Sequence, residues 1–194
     1  MTSQLKPVRV PFWGPLTAQV HGIYRRAFPP NEQISLAFLH VSSLRPNAQF
    51  LAWIDPKQPT SVDEVPRVVA MTYSQRAHGL LYLAFLAVND QLRSAGYGSR
   101  VLNAICEHNR DLPVFLEIEP VDEPGASNLQ QRQRRLRFYE KNGFELTNML
   151  TEESGDTYRV LRRGAQAAEV SPKQLQRALN SMGLGVVRSR VSTD

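Results

Sequence analysis

The chain has 194 residues, 42% of them hydrophobic, enough to bury one substantial core, so one domain is the default expectation. Lys and Arg outnumber Asp and Glu by 23 to 18, a net charge of +5 that suits a ligand carrying several phosphates as well as it suits a nucleic acid. No run approaches the roughly 18 consecutive apolar residues of a membrane span, the opening MTSQLKPVRVPFWG lacks the apolar segment of a signal peptide, and the single Cys106 excludes an internal disulfide, so a cytoplasmic protein is expected.

Residues 6–10 read as a short first strand. Pro15 suits a helix start, and Leu16, Val20, Ile23, Tyr24 and Ala27 fall on one helical face. After the Phe28-Pro29-Pro30 break, Asn31 is a good N-cap for a second helix, predicted to bury Ile34, Ala37, Phe38, Val41 and Leu44 before Pro46 closes it. QFLAWI at 49–54 reads as a strand, 55–66 as a polar loop, and 67–73 as the next strand. Arg76-Ala77-His78-Gly79 then has the composition of a hairpin turn.

The densest signal lies at 80–110, LLYLAFLAVNDQLRSAGYGSRVLNAICEHNR. Its first nine residues form a nearly unbroken apolar run, short for a helix and stopped by Asn89-Asp90, which predicts a strand buried on both faces. From Ser99 onward, Val101, Leu102, Ile105 and Cys106 share a helical stripe, so Cys106 is expected to be a small buried hydrophobe. Between strand and helix stands Arg93-Ser94-Ala95-Gly96-Tyr97-Gly98. Glycines there let backbone approach a ligand closely, and the free N–H groups of a helix's first turn suit an anion such as a pyrophosphate. A Rossmann fingerprint fits poorly, because Val101 occupies its third glycine position and Asn89–Ala95 intervene; a Walker loop fails for want of Gly-Lys-Ser/Thr.

VFLEIE at 114–119 predicts another strand, with Glu117 and Glu119 on one face by the period of two. Ser127 or Asn128 can cap a helix running through Leu129, Leu136 and Tyr139 and stopped by Gly143. Residues 144–151 and 157–161 read as two strands joined by a hairpin. Ser171-Pro172-Lys173-Gln174 has capping-box spacing and opens a last helix through Leu175, Leu179 and Met182, after which VVRSRVSTD reads as frayed.

The order of strand, R-x-x-G-x-G loop, helix, strand and then a helix ending in Phe138-Tyr139-Glu140-Lys141-Asn142-Gly143-Phe144 resembles the GNAT superfamily of acyl-CoA-dependent N-acetyltransferases. VFLEIEP, a polar loop, an Arg/Gln-rich helix and FYEKNGF are similar to a group of small bacterial GNAT proteins without assigned substrates. The resemblance covers about 16–161. It implies an α+β fold, a mixed and mostly antiparallel sheet with splayed central strands and helices on both faces. Residues 1–164 would form the acetyltransferase domain, with 165–194 a helical extension packed on it.

The same resemblance implies direct transfer of acetyl from acetyl-CoA to a primary amine, small-molecule or peptide, without metal. The Phe28–Glu32 connection would line the acceptor's pocket. Carried over residue by residue, the backbone of Leu86, Ala87 and Val88 would hold the pantetheine arm. Arg93, Ser94, Gly96, Tyr97, Gly98 and Ser99 would hold the pyrophosphate, and Asn128 would add a contact although it lies further from Tyr139 than the family's usual asparagine. Tyr139 stands where the family places the acid for the departing thiolate. A phenol near pKa 10 is protonated at neutral pH, as that role needs. An attacking amine must lose a proton, and a carboxyl inside an apolar strand has a raised pKa unless paired, so Glu117 and Glu119 are the candidate bases. The bland alternative is that one of them pairs with an arginine of the 132–137 helix.

The four histidines, His21, His40, His78 and His108, show no metal-ligand spacing. A homodimer is left open. Two rivals stand beside acetyl transfer: an acyl-CoA-binding protein of this fold without efficient catalysis, and, disfavoured, a nucleic-acid-binding module using the basic helix.

Overall fold

The computed structural model describes residues 4–58, 65–92, 95–123, 125–153, 155–164, 166–182 and 190–193. In chain order these form β1 (Lys6–Arg9), α1 (Pro15–Ala27), α2 (Leu36–Ser42), β2 (Ala48–Ile54), β3 (Val68–Ala77), β4 (Leu80–Val88), α3 (Tyr97–His108), β5 (Val114–Ile118), α4 (Leu129–Lys141), β6 (Glu145–Glu153), β7 (Asp156–Arg163), α5 (Pro172–Met182) and β8 (Arg190–Thr193). The strands make one sheet in the order β1-β2-β3-β4-β5-β7-β6-β8. Ladders β1/β2, β2/β3, β5/β7, β6/β7 and β6/β8 are antiparallel. The β4/β5 ladder is parallel, at Leu81↔Val114 and Tyr82↔Phe115. The chain divides into two compact units, residues 1–75 with 83–105, and 76–82 with 106–194.

In the first unit α1 begins at Pro15, as expected, and buries Val20, Ile23 and Tyr24 against Leu39, Phe50, Met71, Tyr73 and Phe85. The second helix departs from expectation. Residues 30–32 form a single 3-10 turn, and α2 starts only after Ser35. The reason is Tyr24, whose hydroxyl accepts from the Ile34 N–H at 2.8 Å and donates to the Ile34 carbonyl at 3.1 Å. Both backbone groups of Ile34 are thereby taken from any helix. The later start rotates the buried face onto Leu39 and His40, leaving Ala37 exposed and Val41 and Leu44 57% and 68% exposed, not buried as their spacing suggested.

β3 runs four residues past its expected end, to Ala77. The turn into β4 is therefore just His78-Gly79, both at positive φ (48° and 77°), the backbone that two-residue hairpins favour.

The second unit packs Leu80, Phe115, Met149 and Val160 against Leu175, Ala178 and Leu179 of α5. The capping box is half realised. Ser171 Oγ accepts the Gln174 N–H at 3.2 Å, but the Gln174 amide donates to the His78 carbonyl at 2.8 Å instead of returning to Ser171. The expected fraying is wrong at 190–193, the rest of that stretch lying outside the described residues: β8 pairs with β6 from Met149↔Thr193 to Glu152↔Arg190, and Val191 N–H donates to Gln176 Oε1 at 2.6 Å. Cys106 is half-buried and not in the core; it borders a cavity of about 260 Å³ lined also by Arg110, Leu112 and Arg163.

Leu175 is fully buried. Leu175→Ala is expected to lower unfolding free energy in urea by about 2–5 kcal/mol through lost transfer energy and a cavity. An unchanged midpoint would show that α5 does not belong to the cooperative core.

Candidate active site

In the first unit, β4 ends at Val88 with Leu86 and Val88 half-buried and Ala87 buried. Asn89 fixes this end: its N–H donates to the Val69 carbonyl at 2.9 Å and its amide to the Val68 carbonyl at 3.0 Å. A 3-10 turn, Asp90–Leu92, follows, with Asp90 paired to Arg26 at 2.8 Å. Arg93 and Ser94 lie outside the described residues. Gly96 has φ +73°, and a Cβ built there meets nothing within 4 Å. Space and backbone geometry therefore both mark this position as one left open beside a helix start.

α3 begins at Tyr97, two residues earlier than its apolar stripe suggested, so Gly98 sits in the first helical turn and not in the loop. Its first turn leaves N–H groups without helical partners. The Tyr97 side chain faces inward: its hydroxyl donates to Asp55 Oδ2 at 3.2 Å and accepts from Gln58 Nε2 at 2.8 Å. Only the Tyr97 backbone is thus left for a ligand. Arg100 bonds the same Asp55 oxygen at 2.9 Å, with its guanidinium 4.9 Å from the Tyr97 ring centre. Burial alone would raise the Asp55 carboxyl, but the Lys57 N–H, Arg100 and Tyr97 outweigh it and hold the carboxyl below its usual range. Asp55 was missed in the sequence, because nothing local distinguishes it from any loop aspartate.

In the second unit the two candidate glutamates have different fates. Glu119, just past the end of β5, is held by Arg132 Nε at 3.0 Å, Arg135 Nη1 at 2.8 Å and Asn128 Nδ2 at 2.9 Å. It is a structural anchor of α4. The bond to Glu119 also engages the Asn128 amide.

Glu117 lies inside β5, half-buried, with Oε1 shielded from water and without a hydrogen-bond partner. Burial, then the charge of Glu153, pushes its carboxyl up to about 7; the Tyr82 and Thr151 hydroxyls offset part of that rise. No cation is among the groups that shift it. Thr151 is fully buried, with its hydroxyl beside the Glu117 carboxyl. The Tyr82 phenol is raised well above its ordinary value by burial and by the negative charges of Glu117 and Glu153.

Tyr139 is half-buried on α4, its ring edge-on to Phe138 (5.2 Å) and Phe144 (5.7 Å). Burial raises its phenol and the Arg135 charge only partly opposes this, so the hydroxyl keeps its proton at neutral pH. The helix ends at Asn142-Gly143 as expected. Among the described residues no group of three or more His, Cys, Asp and Glu could hold a metal, and no helix is long and apolar enough to cross a membrane.

No protein-family model matches the chain, and no curated protein does. Solved structures do. A protein from Bacteroides thetaiotaomicron described as a GNAT-family acetyltransferase superposes with TM-score 0.66 at 22% identity, over 93% of this chain and 98% of that one. The ribosomal-protein-S18-alanine N-acetyltransferase of Escherichia coli gives 0.57 at 15% identity, over 86% and 99%. Arabidopsis thaliana Naa50, in complex with the bisubstrate analogue CoA-Ac-MVNAL, gives 0.55 at 15%, over 84% and 99%. The fold is that of the GNAT family.

Within this GNAT fold, the first unit carries Leu86, Ala87, Val88, Gly96, Tyr97, Gly98 and Ser99 on one strand end and the helix that follows it. The second carries Glu117, Glu119, Asn128 and Tyr139. Sequence reasoning named Tyr82 as a fallback base should Glu117 prove structural, and it missed Thr151, because β6 reaches Glu117 only through sheet pairing.

The raised Glu117 carboxyl has a consequence for stability. Folded, it ionises near 7; unfolded, near its ordinary 4.5. Its contribution is therefore fully present below the unfolded value and is lost as pH rises towards and through 7. Glu117→Gln should gain stability relative to the parent between about pH 5 and pH 8, by roughly 3 kcal/mol at most. Urea unfolding of both proteins at the two pH values checks this; an equal difference at both would mean an ordinary carboxyl.

Proposed function

We propose that the protein is an N-acetyltransferase that moves an acetyl group from acetyl-CoA directly to a primary amine. The observation that carries this reading is Glu117, a shielded carboxyl without a cationic partner, poised near neutral pH in a GNAT fold. A general base works best when its pKa lies near the operating pH. The Naa50 structure, which holds an analogue joining CoA to an acetylated peptide, supports the same pairing of donor and acceptor.

The residues present fit acetyl-CoA. Gly96 leaves open space where any other residue would place a Cβ, and the first turn of α3 offers N–H groups suited to phosphate oxygens. The Asp55–Tyr97–Arg100 network holds that turn in place. The backbone of Leu86, Ala87 and Val88 is assigned to the pantetheine arm by the family resemblance. Bound acetyl-CoA would supply the activated thioester; the chain supplies the rest. Glu117 accepts the proton that the ammonium must lose, with the Tyr82 and Thr151 hydroxyls beside it. Tyr139 keeps a proton on its phenol and is the acid of this reading. Glu119 and Asn128 are left out of it.

Acetyl-CoA should raise the melting temperature by mass action on the native state. Gly96→Val should abolish that rise, since its side chain would fill the open space and resist positive φ. A full shift in the variant would sink the loop assignment.

Tyr139→Phe keeps the ring packing and removes only the proton donor. Cofactor-induced stabilisation should survive while kcat falls by roughly 10²- to 10⁴-fold. Glu117→Gln should lower the rate most near neutral pH and recover at high pH, where the acceptor is already deprotonated. Thiol release measured over a panel of amines decides the reading as a whole. Binding of acetyl-CoA with no turnover on any amine would leave only a binding protein.

A further inference from the structure

The joint between α1 and α2, inside the first unit, is made by two histidines. His21 Nε2 and His40 Nε2 lie 2.8 Å apart, so one imidazole donates and the other accepts. His40 is 4% exposed, with the Phe12 and Phe50 rings each centred 5.1 Å from its own, and its Nδ1 is buried without a partner. Among the described residues the charged groups placed beside the pair are cations. Arg25 of α1 opposes a proton on His21, and Arg9 of β1 bonds the Ser43 carbonyl, just past α2, at 3.0 Å. Behind Phe50 stands Tyr73 of β3, whose phenol is raised by burial and stays neutral. α2 carries no other ionisable side chain, and no carboxylate shifts either ring.

α2 leans on that bond. It has seven residues, too few for a helix to persist by itself. Of its three buried residues only Leu39 is apolar, the others being His40 and Ser42. The chain before and after it is tied by groups that do not titrate near neutrality. The Tyr24 hydroxyl, its pKa raised to about 12, holds Ile34; the Gln33 amide donates to the Phe28 carbonyl at 2.7 Å; Arg9 holds Ser43. The histidine pair, between these tethers, is a fastening that acid can change. A first proton leaves it closed, because an imidazolium still donates to a neutral imidazole. A second does not. Both Nε2 atoms would then be donors, and His40 would hold a cation among aromatic rings with its Nδ1–H facing nothing.

We infer that the His21–His40 pair is a latch that holds α2 on α1 while at least one ring is neutral, and that α2 loosens between its two tethers once both rings are protonated. The latch concerns this joint alone and does not depend on acetyl transfer. Burial lowers the pKa of both rings, and His40 and then Arg25 lower that of His21 further, so the pair is closed at neutral pH. The stability it contributes is fully present above the unfolded value of 6.5 and is lost as pH falls through the lower folded values.

The test follows amide hydrogen exchange, corrected for its intrinsic rate, in residues 39–44 at about pH 7.5 and about pH 5, with 101–105 of α3 as internal reference. Protection in 39–44 should fall by about 10-fold between the two, the worth of one buried hydrogen bond, while the reference changes little. His40→Gln keeps a partner for His21 in either charge state and takes no proton itself, so its protection should be the same at both pH values. His21→Leu, at the more exposed position, removes the bond and should leave 39–44 poorly protected at both. Urea unfolding gives a second readout: the parent should lose stability relative to His40→Gln as pH falls below 6.5. Equal protection of 39–44 at both pH values in the parent overturns the inference, as does an equal fall in His40→Gln. An equal fall in 101–105 also overturns it, since acid would then be loosening the whole fold and not one joint.

Discussion

Leu80–Val88 must be apolar at almost every position because it contributes to two hydrophobic cores. Leu80 packs with Phe115, Met149 and the α5 residues, whereas Phe85 and Ala87 pack with Tyr24, Phe50 and Met71. A strand under that double demand has little freedom to carry polar side chains. Its one polar exception, Tyr82, meets the Glu117 carboxyl, which no cation shifts. The helix that follows is fixed just as firmly from outside its own sequence, by Asp55 bonding both Tyr97 and Arg100. Backbone near Gly96 can stay open because its neighbours are held from elsewhere.

How much of this was legible follows from how local each cause is. β4, the loop glycines and the Tyr139–Phe144 helix end could be read directly, since an apolar run, a breaker pair and a glycine stop act within a few residues of themselves. The face of α2 could not be read. It depends on the Tyr24 hydroxyl holding both backbone groups of Ile34, a contact between two elements that periodicity does not see. β8 was misread for a similar reason: Arg190-Val191-Ser192-Thr193 resembles a tail until β6 and Gln176 supply its partners.

The glutamates show where pattern and environment part. Glu117 and Glu119 share a face by the period of a strand, and the sequence offered no way to rank them. The strand ends at Ile118, so Glu119 comes within reach of Arg132, Arg135 and Asn128 and is neutralised. Glu117, two residues earlier, sits between neighbouring strands where no cation reaches it, and its proton becomes the cheaper form of compensation. A shift of two positions separates a scaffold carboxylate from a chemically poised one.

The ends of the sheet carry a further consequence. Its two outermost strands are β1 and β8. An uncovered edge offers a ladder of N–H and C=O groups to any passing chain, and natural sheets blunt it with charge and proline. β1 carries Lys6, Pro7 and Arg9. At the opposite side β8, short and beginning with Arg190, pairs with the Met149–Glu152 part of the longer β6. The final strand thus takes up the backbone groups of Met149–Glu152 that would otherwise be open to intermolecular β-addition.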